Sequence, residues 1–134
     1  MHFTLIDAVL EQSPERILAV KQVSLAEEYL GDHFPGFPVL PGVMMIEALA
    51  QAARLMLEDR GNPRLVLGEV KALKFGNMVR PGERLEVEVT LGKELDGGAF
   101  DCRGTGRVKR ANDPAGEGET AVSGRFTMRP IRVN

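Results

Sequence analysis

The chain has 134 residues, 43% of them hydrophobic, and 17 Lys+Arg stand against 19 Asp+Glu for a formal net charge of −2 and a pI near 5.7. That length sustains one domain with a real core, so residues 1–134 are read as a single domain. The mixed, slightly acidic charge gives no footprint for nucleic acid, no run approaches the ~18 apolar residues of a membrane span, and the single Cys102 excludes an intrachain disulfide.

The opening Met1-His2-Phe3-Thr4 lacks the basic start of a signal peptide, so a cytoplasmic location is expected. Phe3 to Leu10 is rich in apolar and β-forming residues. Gln12-Ser13-Pro14-Glu15 reads as a turn, and Arg16 to Val23 as a second strand, so the pair is expected to form a hairpin. Ser24 and Glu27 have capping-box spacing, which predicts a short helix over Leu25 to Leu30 closed by Gly31.

Next comes a stretch of different character, Asp32 to Arg54. Pro35, Pro38 and Pro41, interleaved with Gly36 and Gly42, forbid helix and stiffen the path that follows His33. From Val43 the run is almost wholly apolar, interrupted only by Glu47, Gln51 and Arg54. A helix so apolar is buried on most sides. Glu58, Asp59 and Arg60 are expected as its last turn, with Gly61 and Pro63 as the stop.

Strands are predicted near Leu65 to Phe75, Arg84 to Leu91, Ala99 to Lys109 and Thr120 to Met128. The clearest is the fourth, where Leu85, Val87, Val89 and Leu91 alternate with Glu86, Glu88 and Thr90 as on a sheet with one wet face. Pro81-Gly82 and Asp96-Gly97-Gly98 are turn signals, and Ala111 to Gly118 is a loop. One buried helix and strands joined by short turns define the α+β class with an antiparallel sheet.

Chemistry-bearing residues are few. His2 and His33 are too sparse for a zinc site, no serine lies in a nucleophile elbow, and Cys102 has no evident histidine partner. His33 and Glu47 remain. A neutral histidine takes a proton near pH 7, and a carboxyl in apolar surroundings is raised in pKa and can give one. The helix start offers a second feature: between Phe34 and Ile46 there is no Ser, Thr, Asp or Asn to cap its free N–H groups. Those donors serve either water or an oxygen that gains negative charge during a reaction. The bland alternatives stand beside this. Glu47, Gln51 and Arg54 also have the spacing of an ordinary solvent stripe, the prolines also make a rigid connection, and Met44, Met45 and Met56 are core filler.

His33-Phe34-Pro35-Gly36, Pro38-Val39, Pro41-Gly42-Val43, Glu47-Ala48 and Ala50-Gln51 together resemble the signature of the FabZ-type 3-hydroxyacyl-[acyl-carrier-protein] dehydratases. A weaker resemblance extends to Phe3 to Glu11 and Pro81 to Val89. The resemblance implies a hot-dog fold, an antiparallel sheet wrapped around one long central helix, working as a homodimer or trimer of dimers. It implies dehydration of (3R)-hydroxyacyl thioesters to trans-2-enoyl thioesters in fatty acid biosynthesis, without a metal or other cofactor. The partner would be an acyl carrier protein bearing a phosphopantetheine-linked acyl chain, with that chain in an apolar tunnel beside the helix. Carried over, His33 would be the base, Glu47 of the facing chain the acid, and the Gly42 amide the oxyanion donor. Val43 and Gln51 would flank the substrate, with Gln51 holding the Glu47 carboxyl.

The chain departs from that family at Asp32, which stands where glycine precedes the histidine. It departs again at Lys74-Phe75-Gly76-Asn77-Met78-Val79, a strand end with fewer positive charges. A substitute basic patch for an acidic carrier is sought in Arg103, Arg107, Lys109 and Arg110. Two alternatives to the carrier-protein dehydratase remain open. One is a hydratase or dehydratase acting on CoA thioesters or on a specialised carrier of a secondary pathway, and the other is a non-catalytic acyl-binding hot-dog subunit.

Overall fold

A computed structural model describes residues 5–24, 39–60, 65–110, 112–113 and 115–131. The helix expected at 25–30 and the loop from His33 to Pro38 lie outside the described residues. The elements in chain order are β1 (Ala8–Ser13), β2 (Arg16–Gln22), α1 (Gly42–Met56), β3 (Leu65–Phe75), β4 (Arg84–Glu94), a short 3-10 turn (Asp96–Gly98), β5 (Phe100–Lys109) and β6 (Glu119–Pro130).

Period-two alternation makes the strands pair. In β4, Leu85, Val87 and Val89 are fully buried while Glu86, Glu88 and Thr90 stand on the wetter face. The six strands form one antiparallel sheet in the order β1-β2-β4-β5-β6-β3. The predicted β1–β2 hairpin forms, with Ser13 opposite Arg16. Its first strand starts at Ala8, later than expected. The expected strand's described residues before Ala8 run irregularly, with Leu5 buried and the Asp7 carboxylate accepting the Gln22 N–H at 2.7 Å. β4 runs three residues beyond the expected Leu91, because Lys93 and Glu94 still find ladder partners in Asp101 and Phe100 past a bulge.

The helix packs on one face of the sheet, where Met45, Ala48, Leu49, Ala52, Ala53 and Met56 meet the inward residues of the strands. Small residues on both sides allow the close approach. A Cβ placed on Gly104 of β5 would lie 3.0 Å from Leu49 Cδ2, so the glycine is what gives Leu49 its seat. The helix stops earlier than the sequence implied. Leu57 leaves helical geometry at φ −94°, ψ 1°, and Glu58, Asp59 and Arg60 follow as a turn rather than as the last helical turn. Arg60 is drawn sideways instead, donating to Glu94 at 2.7 Å and to the Pro14 carbonyl at 2.9 Å.

The edge strand β3 is the irregular member. Its register against β6 shifts twice, between Leu67 and Val70 and between Lys71 and Lys74, and Ala72 sits at φ 54°. Among the described residues no helix is long and apolar enough to cross a membrane.

Candidate active site

The approach to the helix is fixed by burial and one backbone bond. Val39 and Leu40 are buried, and the Leu40 N–H donates to the Val79 carbonyl at 2.8 Å, which ties the incoming chain to the segment after β3. Pro41 is the N-cap at φ −62°, ψ 145°. It carries no side-chain cap, as the absence of Ser, Thr, Asp and Asn predicted. The Pro41 carbonyl accepts from Met44 at 3.0 Å and Met45 at 3.2 Å, which among the described residues leaves the N–H groups of Gly42 and Val43 as the uncapped donors of the first turn. They carry the positive end of the helix dipole.

Glu47 lies one turn further on and is half-buried. Gln51 Nε2 donates to Glu47 Oε1 at 3.3 Å, while Gln51 Oε1 accepts the Leu5 N–H at 2.8 Å. The second bond orients the first. A backbone N–H can only donate, so it turns the Gln51 oxygen toward Leu5 and the amide NH2 toward the carboxylate. Val43, Glu47, Gln51 and Arg54 thus share a stripe, but the stripe is not simply wet. Only Val43 is strongly exposed, at 68%, whereas Arg54 turns to donate to the Leu65 carbonyl at 2.9 Å. His33 lies outside the described residues, so its distance to Glu47 is not part of this geometry.

Sequence reasoning missed one neighbour. The Phe75 ring, from the last residue of β3, lies directly over Gly42: a Cβ on Gly42 would be 2.8 Å from Phe75 Cε1 and 2.9 Å from Cζ. The only signal in the sequence was an aromatic at a strand end. Of the basic residues sought as a patch, Arg103, Arg107 and Lys109 alternate onto one outer face of β5, and Arg110 follows the strand. Arg110 is engaged by Glu83 at 2.8 Å, which raises its pKa, and Lys109 donates to the Gly116 carbonyl. Arg103 and Arg107 stay exposed on the sheet face away from α1. An open cleft of about 250 Å³ includes Thr90, Asp101, Arg103 and Arg125, and neither Gly42 nor Glu47 lines it. Cys102 is no nucleophile: burial, then the nearby Asp101 charge, push its thiol up to about 12.

Among the described residues a six-stranded antiparallel sheet packs on one long helix, which is the hot-dog fold. The described dehydratase heterocomplex ApeI:P from Xenorhabdus doucetiae shares it, with a TM-score of 0.69 at 16% identity over 96% of this chain and 99% of that one. The family model described as ApeI-like, ApeI dehydratase, matches residues 10–112. The chain belongs to this ApeI-like, FabZ-type family of hot-dog dehydratases. It is 48% identical over 96 residues to a 3-hydroxyacyl-[acyl-carrier-protein] dehydratase FabZ of Oenococcus oeni, covering 69% of each chain. It is 39% identical over 109 residues to the enzyme of the same name from Thermotoga neapolitana, covering 80% of this chain and 77% of the relative.

Proposed function

We propose that the protein is a 3-hydroxyacyl thioester dehydratase of fatty acid biosynthesis, acting on acyl chains carried by an acyl carrier protein. The observation that carries the reading is the first turn of α1. Two uncapped N–H donors stand one turn from a carboxyl group that is itself aimed by Gln51. The names of the relatives supply the substrate class.

In the proposed step the substrate carbonyl oxygen sits at the Gly42 and Val43 amides. His33 takes the proton from C2, and the charge that develops on the thioester oxygen meets the N–H donors and the helix dipole. The C3–O bond breaks, and Glu47, entering protonated, gives its proton to the leaving hydroxyl. Water and a 2-enoyl thioester result, with a proton gained on the histidine and one lost from the glutamate, reset by exchange with solvent. We assign the two groups to different chains, so that the working unit is a dimer in which each site is shared. The long, unpaired edge of β3 suits a second copy.

Turnover of 3-hydroxyacyl thioesters on carrier protein and on CoA, for wild type, His33→Ala and Glu47→Gln, tests this. Each single variant is expected to lose about 100- to 10,000-fold with fold and dimer intact. Mixing the two inactive variants, with subunit exchange, is expected to restore roughly a quarter of the wild-type sites, because half of the reassorted dimers carry one intact pair. A wild type silent on both carriers sinks the reading. Individually inactive variants that never complement sink the shared site. Preference for CoA would instead favour the CoA-thioester hydratase reading. Because the matched structural relative is named a heterocomplex, co-purification of a second, non-identical hot-dog chain would replace the homodimer with a mixed one.

A further inference from the structure

We infer that Phe75 is the specificity-determining residue at the carbonyl end of the substrate, closing the space beside C2 so that thioesters unbranched at that carbon are favoured. The inference rests on the proposed role of the Gly42 amide as the carbonyl donor.

Three observations carry it. The ring lies against Gly42, with Cε1 and Cζ 2.8 and 2.9 Å from where a Cβ would be, so it forms a wall beside the first free N–H of the helix. Its backbone is held firmly. Phe75 pairs with Val122 of β6, the next two N–H groups, of Gly76 and Asn77, donate to Ala121 at 2.9 Å and Thr120 at 3.0 Å, and a Cβ on Gly76 would strike the Thr120 carbonyl at 2.5 Å. Yet in the single chain Phe75 is 53% exposed, and two further apolar residues, Val43 beside Gly42 and Met78 three residues past Phe75, are exposed at 68% and 49%. A large aromatic is placed by a fixed backbone against the residue that bears the donor and is half-open in the single chain.

That combination suits a ligand with a hydrogen-bond acceptor flanked by apolar carbon. A carbonyl oxygen bound at the Gly42 N–H puts its own α-carbon within van der Waals reach of the ring. A hydrogen fits there and a methyl group meets the ring face. Discrimination over one methyl in an apolar site runs at about tenfold or more.

The test separates binding from chemistry. Unreactive pantetheine ketones, with a methylene between carbonyl and sulfur and either hydrogen or methyl at C2, are titrated calorimetrically into wild type, Phe75→Ala, Phe75→Leu and Phe75→Tyr. The wild type and the tyrosine variant are expected to prefer the unbranched ketone about tenfold, the leucine variant less, and the alanine variant to bind both within about twofold. An unchanged ratio in Phe75→Ala overturns the inference, and so does a wild type that binds neither ketone. Binding with the expected ratios but no turnover of 3-hydroxyacyl thioesters would refute the dehydratase reading and leave the role of Phe75 standing.

Discussion

The two ends of α1 are built to opposite rules. At the C-terminal end the described neighbours close on the helix. Met56 and Leu57 are buried, Gln12 Nε2 donates to the Leu55 carbonyl at 3.0 Å, Arg54 reaches the Leu65 carbonyl, and Arg60 pins the following turn to Glu94. At the N-terminal end, among the described residues, no side chain caps the first turn, Val43 is exposed, and the Phe75 ring that lies against Gly42 belongs to a half-exposed residue. Cohesion is concentrated at one end, which lets the other keep donors unsatisfied without loosening the helix. Changes at the first end should therefore read out as stability, and changes at the second as activity.

The sharpest break of that comparison is Glu47→Gln, which should cost about 100- to 10,000-fold in turnover with the thermal midpoint essentially unmoved. A fall of many degrees together with the activity would mean Glu47 is structural. Its counterpart is Leu57→Ala at the sealed end, where removing a fully buried side chain should cost about 2–5 kcal/mol by denaturant titration. Activity per folded molecule should be unchanged. Gly42→Ala comes next: its new methyl pushes the exposed Phe75 ring aside, so turnover should fall about tenfold while stability moves by less than about 1 kcal/mol, and the loss of turnover should be largely relieved in Gly42→Ala/Phe75→Ala. Equal losses in single and double variants would show that the ring does not rest on the glycine.

Away from both ends, Cys102 gives a control in pH. Its folded pKa of about 12 lies above the ordinary thiol value of 9.0, so between those limits the fold holds a proton that the unfolded chain releases. Stability from this group is therefore complete below pH 9 and falls as pH rises toward 12. Cys102→Ser should flatten that part of the stability profile. The smallest effect is Arg60→Ala, whose ion pair with the 65% exposed Glu94 should be worth no more than about 1 kcal/mol.

Much of this was legible beforehand, for reasons that differ by region. The strands from Leu65 onward and the β1–β2 hairpin announced themselves by alternation and by Gly/Pro turns, both local properties of the chain. The uncapped helix start followed from residue types absent over a short window. The helix end was misjudged because Arg60 answers to Glu94, 34 residues away, and no local pattern carries that. The orientation of Gln51 by the Leu5 N–H, 46 residues distant, and the Phe75 contact with Gly42 were hidden for the same reason. Of the basic residues, the sequence shows the arginines but not that Glu83 holds Arg110.

The seat that Gly104 makes for Leu49 acts as a keyway. A cylinder lying on a sheet is free to roll, and nothing in a ladder of strand hydrogen bonds stops it. With a leucine dropped into the gap of a missing side chain, the rotation of α1 about its own axis is indexed to β5. Glu47 stands two residues earlier, about 200° around at 3.6 residues per turn, so the key that faces the sheet also turns the carboxyl away from it. A bulkier residue at position 104 would then swing the Glu47 carboxyl around the helix axis without touching it.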